Sequence, residues 1–185
     1  MPNYVKTLFI SLKMNTLFPV VIGIVIAQRI IELVISKHNE KWLLSQGAVQ
    51  YGAEHYKYIV LMHICFFLFL IQEYIFGNES KNLNILNYSF LVFFMILQIG
   101  RIWVLASLGK YWNTKIYRIK KRSLVKTGPY KFIKHPNYAI VVMEIFVLPM
   151  IFNLYYTAII FTIWNGIMLT IRIKEENKAL NIHHK

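Results

Sequence analysis

The chain is 185 residues long and carries 21 Lys and Arg against 8 acidic residues, a formal net charge of +13, yet 57% of its residues are hydrophobic. That apolar share excludes a highly charged disordered chain and disfavours a nucleic-acid module, whose basicity rests on a less apolar soluble fold. Apolar and basic together describe a membrane protein with basic water-facing loops.

The first apolar stretch, residues 17–35, follows Lys6 and Lys13 and runs into Gln28, Arg29 and Glu32. No small-residue cleavage box ends it, so it reads as a span and not as a removable signal. In the loop at 36–57, Trp42, Leu43 and Leu44 beside charges suit the membrane interface. Residues 58–76, which hold the sole cysteine, Cys65, and residues 85–108 are each long enough to cross the bilayer alone. One cysteine excludes an intramolecular disulfide framework and a Cys-rich metal site. The loop at 109–137 carries the Lys120-Lys121-Arg122 run, which suits a topology anchor. The last apolar segments, 138–152 and 154–171, are separated by little more than Asn153 and Leu154, which predicts a tight helical hairpin with Pro149 near its tip. The expected fold class is therefore all-α: a polytopic membrane protein of about five transmembrane helices with a C-terminal helical hairpin. It is expected to form a single membrane domain over 1–185, without internal repeats or a linker between soluble domains.

The segments 36–57, 109–137 and 172–185 share one side of this arrangement and hold 16 of the 21 Lys and Arg, against 3 on the other side. The positive-inside rule then predicts an outside N-terminus and a cytoplasmic C-terminus in an integral membrane protein. Counting ~1.5 Å per residue inward from the basic ends of the helices places Arg29, Glu32, His63, Arg101, Glu144 and Asn165 roughly 6–12 Å deep. Singly, Arg29 could snorkel or pair with Glu32, and His63 or Asn165 could join helices. Six such groups at one level predict a polar cavity open to the cytoplasm, because buried ionisable groups in a membrane usually line one. Gln72 and Glu73 are expected near the outer interface, in reach of water.

The densest chemistry is LVKTGPYKFIKHPNY at 124–138, followed after the hairpin by RIKEE at 172–176. Gly128-Pro129 signals a turn, and His135-Pro136 breaks regular structure where the fourth span begins. The hairpin brings both clusters to one mouth, where a cation, an imidazole, aromatics and a carboxylate converge. The pattern G-x-Y-x-x-x-[RK]-H-P-x-Y, a short hairpin and then R-x-x-x-E resembles the isoprenylcysteine carboxyl methyltransferase family of integral-membrane enzymes. The resemblance covers roughly residues 98–180; Lys134 replaces the family's usual Arg, keeping the charge but losing the bidentate fork. It divides the chain into N-terminal helices with the first basic loop (1–97) and a methyltransferase core (98–185). The stretches at 100–115 and 28–48 look like a bacterial subgroup that O-methylates alkylpyrones.

The resemblance implies an enzyme using S-adenosylmethionine, with Val125, Tyr130, His135, Pro136, Asn137, Tyr138 and Glu176 at the cofactor, and Lys115 or Tyr117 as further candidates. It implies a lipophilic acceptor taken up from the bilayer, with Arg172 facing it. The physical chemistry agrees. A sulfonium with an ammonium and a carboxylate needs both charge signs and aromatic surface. An acceptor that is already an anion needs positioning by a cation more than a strong base: Arg172 first, then Arg101 or Arg29. Arg29, His63, Glu144 and Asn165 are the candidate residues of the acceptor cavity, and Glu144 is suited either to orienting an arginine or to a structural role. No metal site is expected: His63 with His135 is a weak pair. The glycines make no dinucleotide fingerprint, which excludes a soluble nucleotide-binding methyltransferase. The other reading of the polar layer is a non-enzymatic lipid- or ion-binding or transport module. No nucleic-acid partner is expected.

Overall fold

The computed structural model describes residues 3–77, 83–120 and 125–182, with side chains described for residues 16–179 among them. Lys121 and Arg122 of the basic run lie outside the described residues. The elements in chain order are α1 (Asn3–Ser45), β1 (Val49–Tyr51), α2 (Ala53–Phe76), α3 (Ile85–Leu108), β2 (Ile116–Arg118), α4 (Pro136–Met150) and α5 (Tyr155–Ile182). Among the described residues, α1, α2, α3 and α5 are long and apolar enough to cross a membrane, and α4 is a shorter apolar helix. The protein is an all-α polytopic membrane protein.

The core gathers apolar faces from all five helices, with Phe18, Met62, Phe66, Leu70, Phe94, Leu148 and Phe161 buried together. The ends of α4 show how it fits in with only 15 residues. Pro136 occupies its first turn, where no N–H is required. At the other end the chain turns through Asn153, in the left-handed region at φ 59°. Asn87 on the first turn of α3 secures that tip, donating from Nδ2 to Asn153 Oδ1 at 2.8 Å and to the Met150 carbonyl at 3.2 Å. Glu73 is not simply held toward water. It accepts from the Tyr156 and Thr157 amides at 3.0 and 2.7 Å, and from the Thr157 hydroxyl, so it satisfies the first turn of α5.

Two further features differ from the sequence-based expectation. Residues 36–45 continue α1 instead of lying in an interfacial loop, and Trp42 packs edge-on against Tyr111 at 5.2 Å. The RIKEE cluster likewise belongs to α5, which continues past the apolar segment to Ile182. The two basic connections are joined by an antiparallel ribbon, with Gln50 opposite Tyr117. Such three-residue strands carry no legible alternation, since pairing between loops far apart in sequence decides them.

Candidate active site

The loop between α3 and α4 is tucked against the basic end of α3. Gly128, at φ +56°, makes that approach possible: a Cβ there would collide with Ser107 Oγ. The 3-10 turn Gly128–Lys131 then presents Tyr130, and His135 precedes α4. Residues 112–114 are anchored to α1 by hydrogen bonds. Asn39 Nδ2 donates to the Trp112 carbonyl at 2.8 Å, Asn113 Nδ2 to the Ser36 carbonyl at 2.8 Å, and the Thr114 amide to Ser36 Oγ at 3.1 Å.

Between these loops and the basic ends of α4 and α5 lies a polar cavity of about 530 Å³, bordered by Val125, Tyr130, His135, Asn137, Tyr138, Arg172 and Glu176, with Lys115, Tyr117 and Arg118. Glu176 is its carboxylate centre. Tyr138 Oη donates to Oε2 at 2.7 Å, Arg118 Nη2 to Oε1 at 3.2 Å, and His135 Nδ1 stands 3.5 Å away. Arg172 Nε donates to Tyr138 Oη at 3.0 Å and Nη2 to the Thr114 carbonyl at 2.7 Å. The His135 and Tyr138 rings stack at 5.1 Å. Burial lowers the His135 pKa below its ordinary 6.5 despite the opposing pull of Glu176, so the ring is neutral at pH 7. Burial also raises the Tyr130 phenol pKa, helped by the charges of Tyr138 and Glu176. Lys115 and Tyr117 border the cavity while bonded to Glu40, at 2.9 and 2.7 Å. Pro136 is buried and starts α4 without lining this cavity. Four polar atoms around it are buried without a hydrogen-bond partner among the described residues: Trp112 Nε1, Arg118 Nε, His135 Nε2 and Asn137 Oδ1.

A second cavity of about 500 Å³ lies deeper, lined largely by apolar side chains of α1, α2 and α5. Ile30 and Leu33 of α1 and Ile64 and Leu68 of α2 line it and are 50–62% exposed, so exposed apolar side chains flank the cavity where these two helices face it. The two cavities share a wall made by Trp112, Asn113, Asn137, Tyr138 and Arg172.

The polar layer is gathered here, but four of its members close on one another. Arg101 Nη2 donates to Glu32 at 2.6 Å and Nη1 to Glu144 at 2.8 Å; Arg29 donates to Glu32 at 2.9 Å and to Glu144 at 2.8 Å. Gln98 adds a bond to Glu144 at 2.8 Å. Arg29, Glu32 and Arg101 border the apolar cavity, as do His63 and Asn165, whereas Glu144 stands behind them. Arg29 and Arg101, the second candidates for positioning an acceptor, are thus paired with Glu32 and Glu144, and Arg172 is the arginine on the shared wall.

A family profile, isoprenylcysteine carboxyl methyltransferase (ICMT), matches residues 90–182, just over half of the chain. The chain belongs to this family. S-adenosylmethionine-dependent methyl transfer is the general activity that goes with it, and this member is an integral membrane protein. Uncharacterized protein YpbQ of Bacillus subtilis (strain 168) is 43% identical over 164 residues, 89% of this chain and 96% of that protein. An uncharacterized protein of Haemophilus influenzae is 28% identical over 159 residues, 85% of this chain and 91% of that one. No solved structure matches the chain significantly. The ICMT motif residues Tyr130, His135, Asn137, Tyr138, Arg172 and Glu176 come together around one polar cavity. Sequence reasoning missed Trp112, Asn113, Thr114 and Arg118, although the run WNTK after a glycine was a visible break between helix and loop.

Proposed function

We propose that the protein is an O-methyltransferase of a bacterial plasma membrane whose site opens to the cytoplasm. It acts on an acidic oxygen, enol or carboxylate, of a lipophilic acceptor resembling an alkylpyrone or an isoprenylcysteine. The observation carrying this reading is the pair of cavities of opposite character that share one wall. The polar one suits S-adenosylmethionine in size, lying within the range of about 300–1,000 Å³ usual for small-molecule sites, and in chemistry. Glu176 would accept the ammonium. The unpartnered His135, Asn137, Trp112 and Arg118 atoms offer donors and acceptors for the carboxylate, ribose and base, and Tyr130 and Tyr138 offer aromatic faces. When bound, the cofactor supplies an electrophilic methyl group on its sulfonium.

The chain's own part is alignment and exclusion of water. Arg118 and Tyr138 hold the Glu176 carboxylate in place, and Val125 and Pro136 shape the wall and the start of α4. Arg172, fixed by Tyr138 and Thr114, turns positive charge toward an acceptor oxygen at the shared wall. Arg101 and Arg29 with Glu32 and Glu144 act as a neutral set behind the acceptor, with His63 and Asn165 beside its chain. The acceptor enters from the bilayer between α1 and α2.

Calorimetric titration of detergent-purified protein with S-adenosylmethionine tests the first half, and labelled-methyl transfer to membrane lipid extracts and alkylpyrones, with products identified by mass spectrometry, tests the second. Glu176→Ala should weaken cofactor binding by about tenfold to a hundredfold, the worth of one charge-assisted pair. Arg172→Ala should chiefly reduce turnover of the acceptor. Full activity in both variants would refute these assignments.

A further inference from the structure

The apolar cavity does not end at the shared wall. α2 and α5 run antiparallel, and their register is set by three contacts: Gly52 against Glu175, with Glu175 Cβ 3.4 Å from where a Gly52 Cβ would lie, Phe66 against Phe161 at 5.5 Å between ring centroids, and Glu73 on Thr157. That register sets Tyr56 level with Arg172 and His63 level with Asn165. The second pair therefore lies seven residues, about 10 Å, deeper than the wall.

Both residues of this deeper pair line the cavity. Asn165 is 5% exposed, and its Nδ2 has no hydrogen-bond partner among the described residues. A buried N–H left this way is destabilising unless something accepts from it. His63 Nδ1 lies 2.8 Å from the Ile59 carbonyl, which can only accept, so Nδ1 carries the hydrogen and the neutral ring keeps its lone pair on Nε2. The neighbouring charges offer neither residue a partner: Arg29, Arg101, Glu32 and Glu144 are engaged with one another. The cavity thus holds an unmet donor and an available acceptor at one level, beside the mutually paired Arg29, Glu32 and Arg101. A hydroxyl group meets both, donating to His63 and accepting from Asn165; a hydrocarbon chain meets neither, and a carboxylate or carbonyl meets only the donor.

We propose that His63 and Asn165 form a hydroxyl-recognition station, so that the preferred acceptor carries an alcohol or phenol about 10 Å along its length from the oxygen that is methylated. This deepens the reading of the apolar cavity as the acceptor site and rests on it. The pair selects the acceptor and takes no part in the bond changes.

The probes are stearic acid, 3-hydroxystearic acid and 10-hydroxystearic acid, titrated against the full-length protein in lipid nanodiscs with intrinsic tryptophan fluorescence as readout. 10-Hydroxystearate should bind about tenfold more tightly than the other two, the equivalent of two net hydrogen bonds. In Asn165→Leu, and separately in His63→Phe, that preference should shrink to a few-fold or vanish. S-adenosylhomocysteine titration serves as the check that each variant is folded. Equal affinity of the three acids for the wild-type protein would mean that the pair holds only water, and would overturn the proposal while leaving the acceptor site standing. Failure of all three to bind, with the cofactor product still binding, would overturn both the proposal and the acceptor reading of this cavity.

Discussion

Four charged side chains from three helices, Arg29 and Glu32 on α1, Arg101 on α3 and Glu144 on α4, neutralise one another inside the bundle. Arg101 is only 5% exposed and Glu144 4%, so neither can recover water if its partner is lost. Removing one member of a buried set leaves an uncompensated charge, which costs far more than the set contributes in net stability. Arg101→Ala should therefore destabilise the protein by about 3–5 kcal/mol, measured by denaturant unfolding in detergent. Replacing Arg101 by Met together with Glu32 by Leu should cost clearly less than the sum of the single changes. Additive effects would show that the four do not act as a set. On this footing the arginines inside the spans build the wall of the apolar cavity, and Arg172 is the arginine on the wall that the two cavities share.

At the scale of the element, the loop 125–135 determines where the polar cavity forms, and its fit against α3 turns on one residue. Gly128 has a positive φ and touches Ser107 and Trp103, so a methyl group there meets both a conformational penalty and a collision. Gly128→Ala should destabilise the fold by about 1–2 kcal/mol from backbone strain alone, and should weaken cofactor binding by displacing Tyr130 and His135. Adding Ser107→Gly removes both of the closest colliding atoms and should restore part of the binding but not the strain. Titration calorimetry of the single and double variants checks this; no recovery would show that the collision is not what matters. The ribbon β1–β2 works in the same way over a longer distance, tying 49–51 to 116–118 so that Arg118 reaches Glu176.

The whole molecule sets a polar cavity and a largely apolar one on opposite sides of a single wall. α1 meets α2 through Phe18 and Tyr74, stacked at 3.6 Å, and the same two helices line the apolar cavity nearer the basic side. If acceptors pass there, widening Ile30 or Ile64 to Trp should raise KM several-fold for a long-chain acceptor and much less for a short-chain one. Radiolabelled-methyl assays with acceptors of graded chain length measure this, and equal effects at all lengths would place the route elsewhere.

The number of apolar segments, the terminal hairpin and the residues of the family motif were legible in the sequence by itself. Long apolar runs have few alternatives in a membrane, and a motif whose parts must converge on one ligand keeps a recognisable spacing. That Arg29, Glu32, Arg101 and Glu144 lie at one depth could also be read by counting along helices. Their closure into pairs could not, since depth says nothing of the rotation that turns a side chain toward a neighbour or toward a cavity. The ribbon, the capping of α5 by Glu73 and the anchoring of Trp112–Thr114 to α1 depend on groups distant in the chain, and only the tertiary structure decided them. The balance of charge followed the same division. Composition and spacing determined that most of the 21 cations fall outside the apolar runs; packing alone decided that the two inside them are neutralised, because a buried charge is settled by its partners.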